Sequence, residues 1–376
     1  AGGTDGGGAA AGAAGAADTG SPRLSQMSSS GSTVDLLRRM VGDKGGGSLR
    51  SKVPWEDLEA IGALGYGSFG CVTLQRDRRT GRLYALKALS KGHIKQEGME
   101  QCVISERKTM EMLDSKFLVR LHCTYRCSQH VYFLLEPALG GELYDAYVRN
   151  EHFFGSESHA KFFTVCCALG VQHMHDRRIV YRDLKLENVL LYSNGYACLT
   201  DLGLAKVVIG KTYTVCGTAD YFAPETLRQT GHNRAVDWWA LGILLFIMMS
   251  GRSPFDAEDV TQIYRNIVKG FKREAFPLDF SEELTDLILG LCQKKPERRI
   301  PMAPGGACNI QAHAWFCSFP WDMVAKRTWR APYQPPEPNF STMREKLERG
   351  PPEGVECVAN GSDGTDDEDS GWDADF

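Results

Sequence analysis

Tyr181-Arg182-Asp183-Leu184-Lys185-Leu186-Glu187-Asn188, with Asp201-Leu202-Gly203 following thirteen residues after Asn188, decides how this chain is read. The stretch gathers a carboxylate (Asp183), a cation (Lys185) and two residues with ligating oxygens (Asn188 and Asp201) in a fixed order. Phosphoryl transfer asks for such a set: a carboxylate near the attacking hydroxyl, a cation for the charge that develops, and oxygen ligands for magnesium, all on a rigid backbone. Asn and Asp are also common turn and cap residues. An isolated Arg-Asp or Asp-Leu-Gly therefore carries little, and the weight comes from order, spacing and what flanks them.

Upstream, Leu58-Glu59-Ala60-Ile61 leads into Gly65-Tyr66-Gly67-Ser68-Phe69-Gly70-Cys71-Val72, and Thr73-Leu74-Gln75 then resumes strand-like alternation. A dinucleotide-binding turn opens a helix at this point, whereas here strand residues continue. The pattern predicts a glycine-rich loop between two strands, whose backbone N–H groups can approach phosphates while Phe69 covers them. The next run, Arg82 to Leu89, sets Lys87 in an otherwise apolar strand. A buried ammonium requires a partner, and Glu106 in the amphipathic run Gln101 to Leu113 is the candidate. Leu118 to Leu121 and Val131 to Glu136 read as two further strands of a small antiparallel lobe. Pro137 to Gly141 breaks that pattern and forms a hinge whose backbone groups, beginning at Glu136, suit the donor and acceptor edge of adenine. From Leu143 onward the periodicity is helical, above all over Ala160 to His175 and Val236 to Met249.

At 376 residues and 43% hydrophobic, the chain can build one large two-lobed enzyme or two ordinary domains. The net charge of -4 conceals an asymmetry, because residues 351 to 376 hold nine carboxylates and no Lys or Arg, which leaves residues 1 to 350 at +5. So mild a basicity does not argue for a nucleic-acid partner. Twelve cysteines without paired C-x-x-C spacing point to reduced thiols and a cytoplasmic protein. The longest apolar run, Trp238 to Met249, falls short of the roughly 20 residues that cross a bilayer, so it is read as a buried helix and no transmembrane segment is expected. The chain opens on Ala without a basic-then-apolar leader and reads as a fragment or a processed product. Residues 1 to 54 are rich in Gly, Ala and Ser and are expected to be a disordered low-complexity segment. Within it Val34 to Met40 is a candidate short helix, or a pseudosubstrate through its Arg38-Arg39 pair.

Taken together, residues 58 to 316 resemble a Ser/Thr protein kinase of the AGC group, and in detail the catalytic domain of the cGMP-dependent protein kinases. The resemblance rests on the glycine-rich loop, Lys87, Leu139-Gly140-Gly141-Glu142-Leu143, the Tyr-Arg-Asp stretch, Lys211 to Thr218, Ala223-Pro224-Glu225 and Asp237-Trp238-Trp239. The extension through Ala331-Pro332-Tyr333 and Asn339-Phe340 to the terminal Gly371 to Phe376 adds to it. It implies an α+β, bilobal protein kinase fold. A small antiparallel β-sheet lobe with one helix (about 55–136) would lie over a larger, mainly helical lobe (about 142–316), followed by a C-terminal extension with an acidic tail (317–376).

The same resemblance implies ATP and Mg2+ as cofactors and Asp183, Lys185 and Thr218 as catalytic residues. Asn188 and Asp201 would hold the metal. Gly65, Gly67, Ser68, Phe69, Gly70, Val72, Ala85, Lys87, Glu106, Glu136 and Leu190 would surround ATP. Glu142 and Glu187 would bind an Arg of protein substrates that carry Arg or Lys before the target Ser or Thr. Thr214 matches an activation-loop phosphosite, filled by an upstream activating kinase and neutralised by Arg182 and Lys206. Met110, Leu121, Tyr181 and Leu202 would stack between the lobes, and Glu225 would pair with Arg299. Four positions depart from the family: Leu202 for Phe, Tyr181 for His, Cys102 for His, and Ile247 for a Glu that holds a second substrate Arg. A cAMP-dependent-type catalytic subunit and a pseudokinase scaffold are the alternative readings. The presence of Lys87, Glu106, Asp183, Asn188 and Asp201 together speaks against the second.

Overall fold

A computed structural model of the chain describes residues 52–67, 70–352 and 371–376. The candidate helix and pseudosubstrate at 34–40, Ser68 and Phe69 of the glycine-rich loop, and most of the acidic tail lie outside the described residues.

Five antiparallel strands form the first lobe in the order β1-β2-β3-β5-β4: β1 Leu58–Gly67, β2 Gly70–Asp77, β3 Leu83–Ser90, β4 Leu121–Arg126 and β5 His130–Leu135. Both faces of the sheet are buried, because alternate side chains feed two separate cores. Ala85, Phe133 and Leu135 point to the main core, while Tyr84, Leu86, Tyr132 and Leu134 point to a second one roofed by Val53 and Trp55. Trp55 packs its ring at 5.1 Å from Tyr125 and 4.8 Å from Tyr132. Two helices follow β3: α1 Lys91–Gln96, capped by the Ser90 hydroxyl, and α2 Glu100–Glu111, whose buried side carries Val103, Glu106 and Met110.

The strand expected over residues 118–121 forms elsewhere. Leu118 bridges to Leu199, Val119 N–H donates to Leu199 O at 2.9 Å, and β4 begins only at Leu121. Those apolar residues therefore pair with the large lobe's β7 (Ala197–Leu199), itself paired with β6 (Val189–Leu191), and tie the two lobes together.

Helices dominate the second lobe, with α3 Leu143–Arg149, α4 Glu157–His175, α5 Ala235–Ser250, α6 Val260–Lys269 and α7 Glu282–Leu291. Fourteen of the sixteen residues of α5 are buried, which accounts for an apolar run that would otherwise invite a membrane reading. No helix among the described residues is long and apolar enough to cross a membrane. Arg299 is wholly buried, yet fully partnered: it makes two bonds to Glu225 at 2.6 and 2.7 Å and donates to the carbonyls of Ala235 and Gln293. Bidentate geometry offsets the desolvation of both charges, so losing one partner would strand the other.

The extension returns to the first lobe twice. Helix α8 (Phe340–Arg349) lies along β1, and residues 371–376 fold onto α1 and α2. There Phe376 packs at 5.4 Å from the Phe133 ring and 5.2 Å from the Arg107 guanidinium, while Lys91 pairs with Asp373. Ten cysteines among the described residues carry free thiols.

Candidate active site

Between the lobes lies a cleft of about 380 Å³, walled by Gly67 and Gly70 above, Lys87 and Glu106 at the back, and Asp183 and Asp201 below. Gly70 is obligatory. Its φ is +152°, and a Cβ there would sit 1.9 Å from Ala88 O, so only glycine lets β2 turn back so close to β3. In the β2–β3 register Val72 pairs with Lys87, and Lys87 in turn pairs with Phe133 of β5. Strand alternation then sends Ala85 and Lys87 to the same face.

Lys87 reaches Glu106 Oε1 at 2.8 Å and lies 3.9 Å from Asp201 Oδ1. Burial pushes its ammonium pKa down, but Glu106 and then Asp201 outweigh that and hold it above the ordinary lysine value. The pair thereby fixes a permanent positive charge at the back of the cleft. Glu106 stands on the buried side of α2, so the bond also sets the position of that helix.

Opposite it, Asp183, Lys185, Asn188 and Thr218 form one network. Asn188 Nδ2 donates to Asp183 O at 2.9 Å and to Asp183 Oδ2 at 2.7 Å. Lys185 Nζ lies 3.3 Å from Asp183 Oδ2 and donates to Thr218 Oγ1 at 3.1 Å. The backbone that carries them is strained: Arg182 has φ +69° and Asp201 has φ +52°, left-handed values that non-glycine residues adopt only when surroundings impose them.

Asp237 imposes the first, and sequence reasoning assigned it no such part. Its carboxylate, 1% exposed, accepts from Tyr181 N–H at 2.9 Å and Arg182 N–H at 2.8 Å, and meets His175 Nε2 at 2.7 Å. The one hint in the sequence is an Asp at the head of an otherwise apolar run. Arg182 is held further by its Nε–H to Leu204 O at 2.8 Å, and Tyr181 donates its hydroxyl to Thr200 O at 2.5 Å.

The remaining predicted residues surround this centre. Ala85, Val72 and Leu190 join the same core beneath the sheet but, apart from Val72, do not line this cleft. Glu136 commits its N–H to Arg120 O at 2.9 Å. Glu142 and Glu187 approach closely enough to feel one another. Burial, then Asp145 and then Glu187 push the Glu142 carboxyl up, against a weaker pull from Lys185. Such a crowded acidic group favours an incoming cation. Thr214 is exposed, while Lys206 donates to Thr212 Oγ1 at 3.2 Å. Arg182 Nη1 is buried with no hydrogen-bond partner among the described residues. Met110, Leu121, Tyr181 and Leu202 share the main core, so the changes at Tyr181 and Leu202 preserve packing.

Comparison with known proteins agrees with this geometry. Residues 58–316 match the protein kinase domain family. The chain is 39% identical over 324 residues to "cGMP-dependent protein kinase, isozyme 1" of Drosophila melanogaster, an alignment covering 85% of this chain and 41% of that protein. It is 36% identical over 329 residues to "cGMP-dependent protein kinase 2" of Homo sapiens, covering 87% of this chain and 42% of that protein. The chain thus spans about two fifths of the length of the relatives it matches. From the five-stranded lobe, the paired Lys87 and Glu106 and the Asp183 network, together with the family match over most of its length, the chain belongs to the protein kinase domain family.

Proposed function

We propose that this chain is a protein Ser/Thr kinase, similar to the catalytic part of the cGMP-dependent kinases, that transfers the ATP γ-phosphoryl group to Ser or Thr near basic residues. The observation that carries this reading is the facing of two charged sets across one cleft: Lys87 with Glu106 and Asp201 on one side, Asp183 with Lys185, Asn188 and Thr218 on the other.

The residues suit magnesium, which takes one or two protein ligands and completes its shell with phosphate oxygens and water. Asp201 has a side chain 55% exposed toward the cleft and carries oxygen ligands. Asn188 spends its Nδ2 on Asp183 and keeps Oδ1 as the other. When bound, ATP and Mg2+ supply the transferable group and neutralise its oxygens. Lys87, steadied by Glu106, would offer its ammonium to the phosphates, and the N–H groups of Gly67 and Gly70 would face them. Asp183 orients the substrate hydroxyl and accepts its proton through the oxygen not engaged by Asn188. Lys185, anchored by Thr218, steadies the charge that develops.

The Glu142 and Glu187 carboxylates select a substrate Arg, and Thr214 receives an activating phosphate from an upstream kinase, for which the unpartnered Arg182 Nη1 is a ready donor. Free thiols at ten positions accord with a cytoplasmic setting. Magnesium-dependent phosphorylation of an Arg-containing Ser peptide tests the reading. Lys87→Met and Asp183→Ala should each lower turnover by about 10²–10⁴ while the protein still melts cooperatively. Peptide phosphorylation that survives Asp183→Ala would overturn the assignment.

A further inference from the structure

The excess positive charge of residues 1 to 350 is gathered at one place on the second lobe. Residues 260–273, which form α6 and the segment leaving it, carry Arg265, Lys269, Lys272 and Arg273 and no carboxylate. Residues 293–298, just beyond α7, add Lys294, Lys295 and Arg298 against the single Glu297. The two segments hold +6 between them, more than the +5 of residues 1 to 350 as a whole. All seven side chains are exposed. Among the described residues, only Arg273 of the seven meets a carboxylate, that of Glu282 at 4.0 Å.

The fold increases this concentration. Like charges four apart on a helix repel, yet Arg265 and Lys269 stand so on α6. Gly270 has φ +71°, and a Cβ there would stand 2.7 Å from Lys294 Cε and 3.1 Å from its Cγ. The Lys294 stem therefore lies across the backbone between Lys269 and Lys272 and joins the two segments into one patch. Uncompensated charge destabilises a compact chain through self-repulsion, and an anionic surface would relieve it.

Beside the patch stands an apolar point. The loop over residues 273–282 is closed at its foot by Arg273 and Glu282. Phe276 and Phe280 turn inward, with rings 5.7 and 5.5 Å from that of Phe246 on α5. Between them Phe280 N–H donates to Pro277 O at 3.2 Å, a turn that leaves Leu278 wholly exposed at the tip. A row of phosphates or carboxylates gives such a leucine nothing to bury against, whereas a bilayer offers acyl chains directly beneath its charged headgroups.

We propose that this face docks on an anionic lipid surface, with the cations of residues 265–273 and 294–298 against the headgroups and Leu278 inserted between them. Each such cation changes binding to an anionic leaflet about fivefold. Salt screens the attraction, with a Debye length of about 10 Å at 0.1 M, so attachment is reversible and salt-sensitive. The inference stands apart from the kinase reading, because none of these residues faces the cleft.

The test sediments the full chain with vesicles of phosphatidylcholine alone and of phosphatidylcholine with about one third phosphatidylserine. Wild type should bind the second at least about tenfold more tightly than the first and lose that preference as salt is raised. Lys269→Gln, Lys272→Gln, Lys294→Gln and Lys295→Gln combined should weaken binding about a hundredfold or more, while the same four lysines changed to Arg should retain it. Leu278→Gln should weaken it about tenfold with the charge unchanged. Peptide phosphorylation in solution and the melting temperature should match wild type throughout. Equal binding of wild type to both vesicles would overturn the proposal, as would undiminished binding of the combined Gln variant. Wild-type binding by Leu278→Gln would overturn the insertion. Capture of wild type by soluble polyglutamate without preference for phosphatidylserine would assign the patch to an acidic protein and overturn the lipid reading. Should the combined Gln variant melt early, Leu278→Gln and the salt series decide the matter.

Discussion

Replacing Asp237 by Asn tests whether strain in the loop bearing Asp183 is coupled to chemistry. The native carboxylate accepts two backbone N–H bonds and meets His175, all at 2.9 Å or less, while 1% exposed. Asn retains one acceptor oxygen, but its amide nitrogen faces groups that are themselves donors. One charge-assisted bond worth about 1.5–3 kcal/mol is lost, and one buried donor is left unsatisfied at about 1–3 kcal/mol. A total near 3 kcal/mol corresponds to a fall in melting temperature on the order of 5 °C. The kinetic effect should be larger in proportion. With the acceptor of the Arg182 N–H replaced by an amide NH2, the anchor that holds φ +69° is lost, and relaxation there displaces Asp183, the next residue. A displacement of about 1 Å costs roughly 10²-fold in rate. Nucleotide affinity should hardly change, since Lys87 and Glu106 are untouched. Steady-state kinetics, a nucleotide-binding titration and a thermal melt on one preparation decide the matter. A variant that melts earlier but turns over within threefold of wild type would refute the coupling and leave Asp237 a purely structural residue.

Ile247→Glu should create a preference for Arg two residues before the target, by about ten- to a hundredfold in kcat/KM, because Ile cannot replace a charge-assisted bond of roughly 1.5–3 kcal/mol. Peptides varied at the second and third positions before the target read this out, and equal dependence on both in the wild type would show that another carboxylate already acts there. Thr214→Ala should lower activity substantially, and mass spectrometry of an active preparation that finds Thr214 unmodified would exclude the switch. Glu142 has a raised pKa, so it loses its charge at a higher pH than an ordinary glutamate as the solution is acidified. The advantage of Arg at the third position should therefore fade early on acidification in wild type but stay flat with pH in Glu142→Gln. Burial pushes the Asp373 carboxyl up, but Lys91 prevails and holds it below the usual range. The stability it contributes is present above the unfolded-state pKa and disappears as pH falls through the lowered value. Wild type and Asp373→Asn should differ in melting temperature near neutrality and converge in strong acid.

What was legible in the sequence follows the range of the interactions involved. Lys87 in an apolar strand demanded a counter-charge, and Glu106 on an amphipathic helix nineteen positions away supplies it at 2.8 Å. Local chemistry sufficed because a buried ammonium has few solutions. The strand expected over 118–121 failed for the opposite reason. Leu118 and Val119 have strand-forming composition, but composition does not name a partner, and the partner is Leu199, some eighty residues on, in the other lobe. Asp237 anchors a backbone fifty-five and fifty-six positions earlier, a contact that no periodicity announces.

Gly62 takes the point further. In isolation it looks like a defect in β1, costing about 0.5–1 kcal/mol against Ala, and nothing near it in the chain explains the choice. Its explanation is Met343, from a helix 281 positions later that lies across the strand. Asp237 holds the loop that carries the recognisable motif, and Gly62 leaves room for a distant helix to pack on the first strand. The residues that bear the chemistry are legible because their types are constrained by the reaction. The residues that hold them in place are constrained only by shape and by the donors left over, and those become visible when distant parts of the chain are brought together.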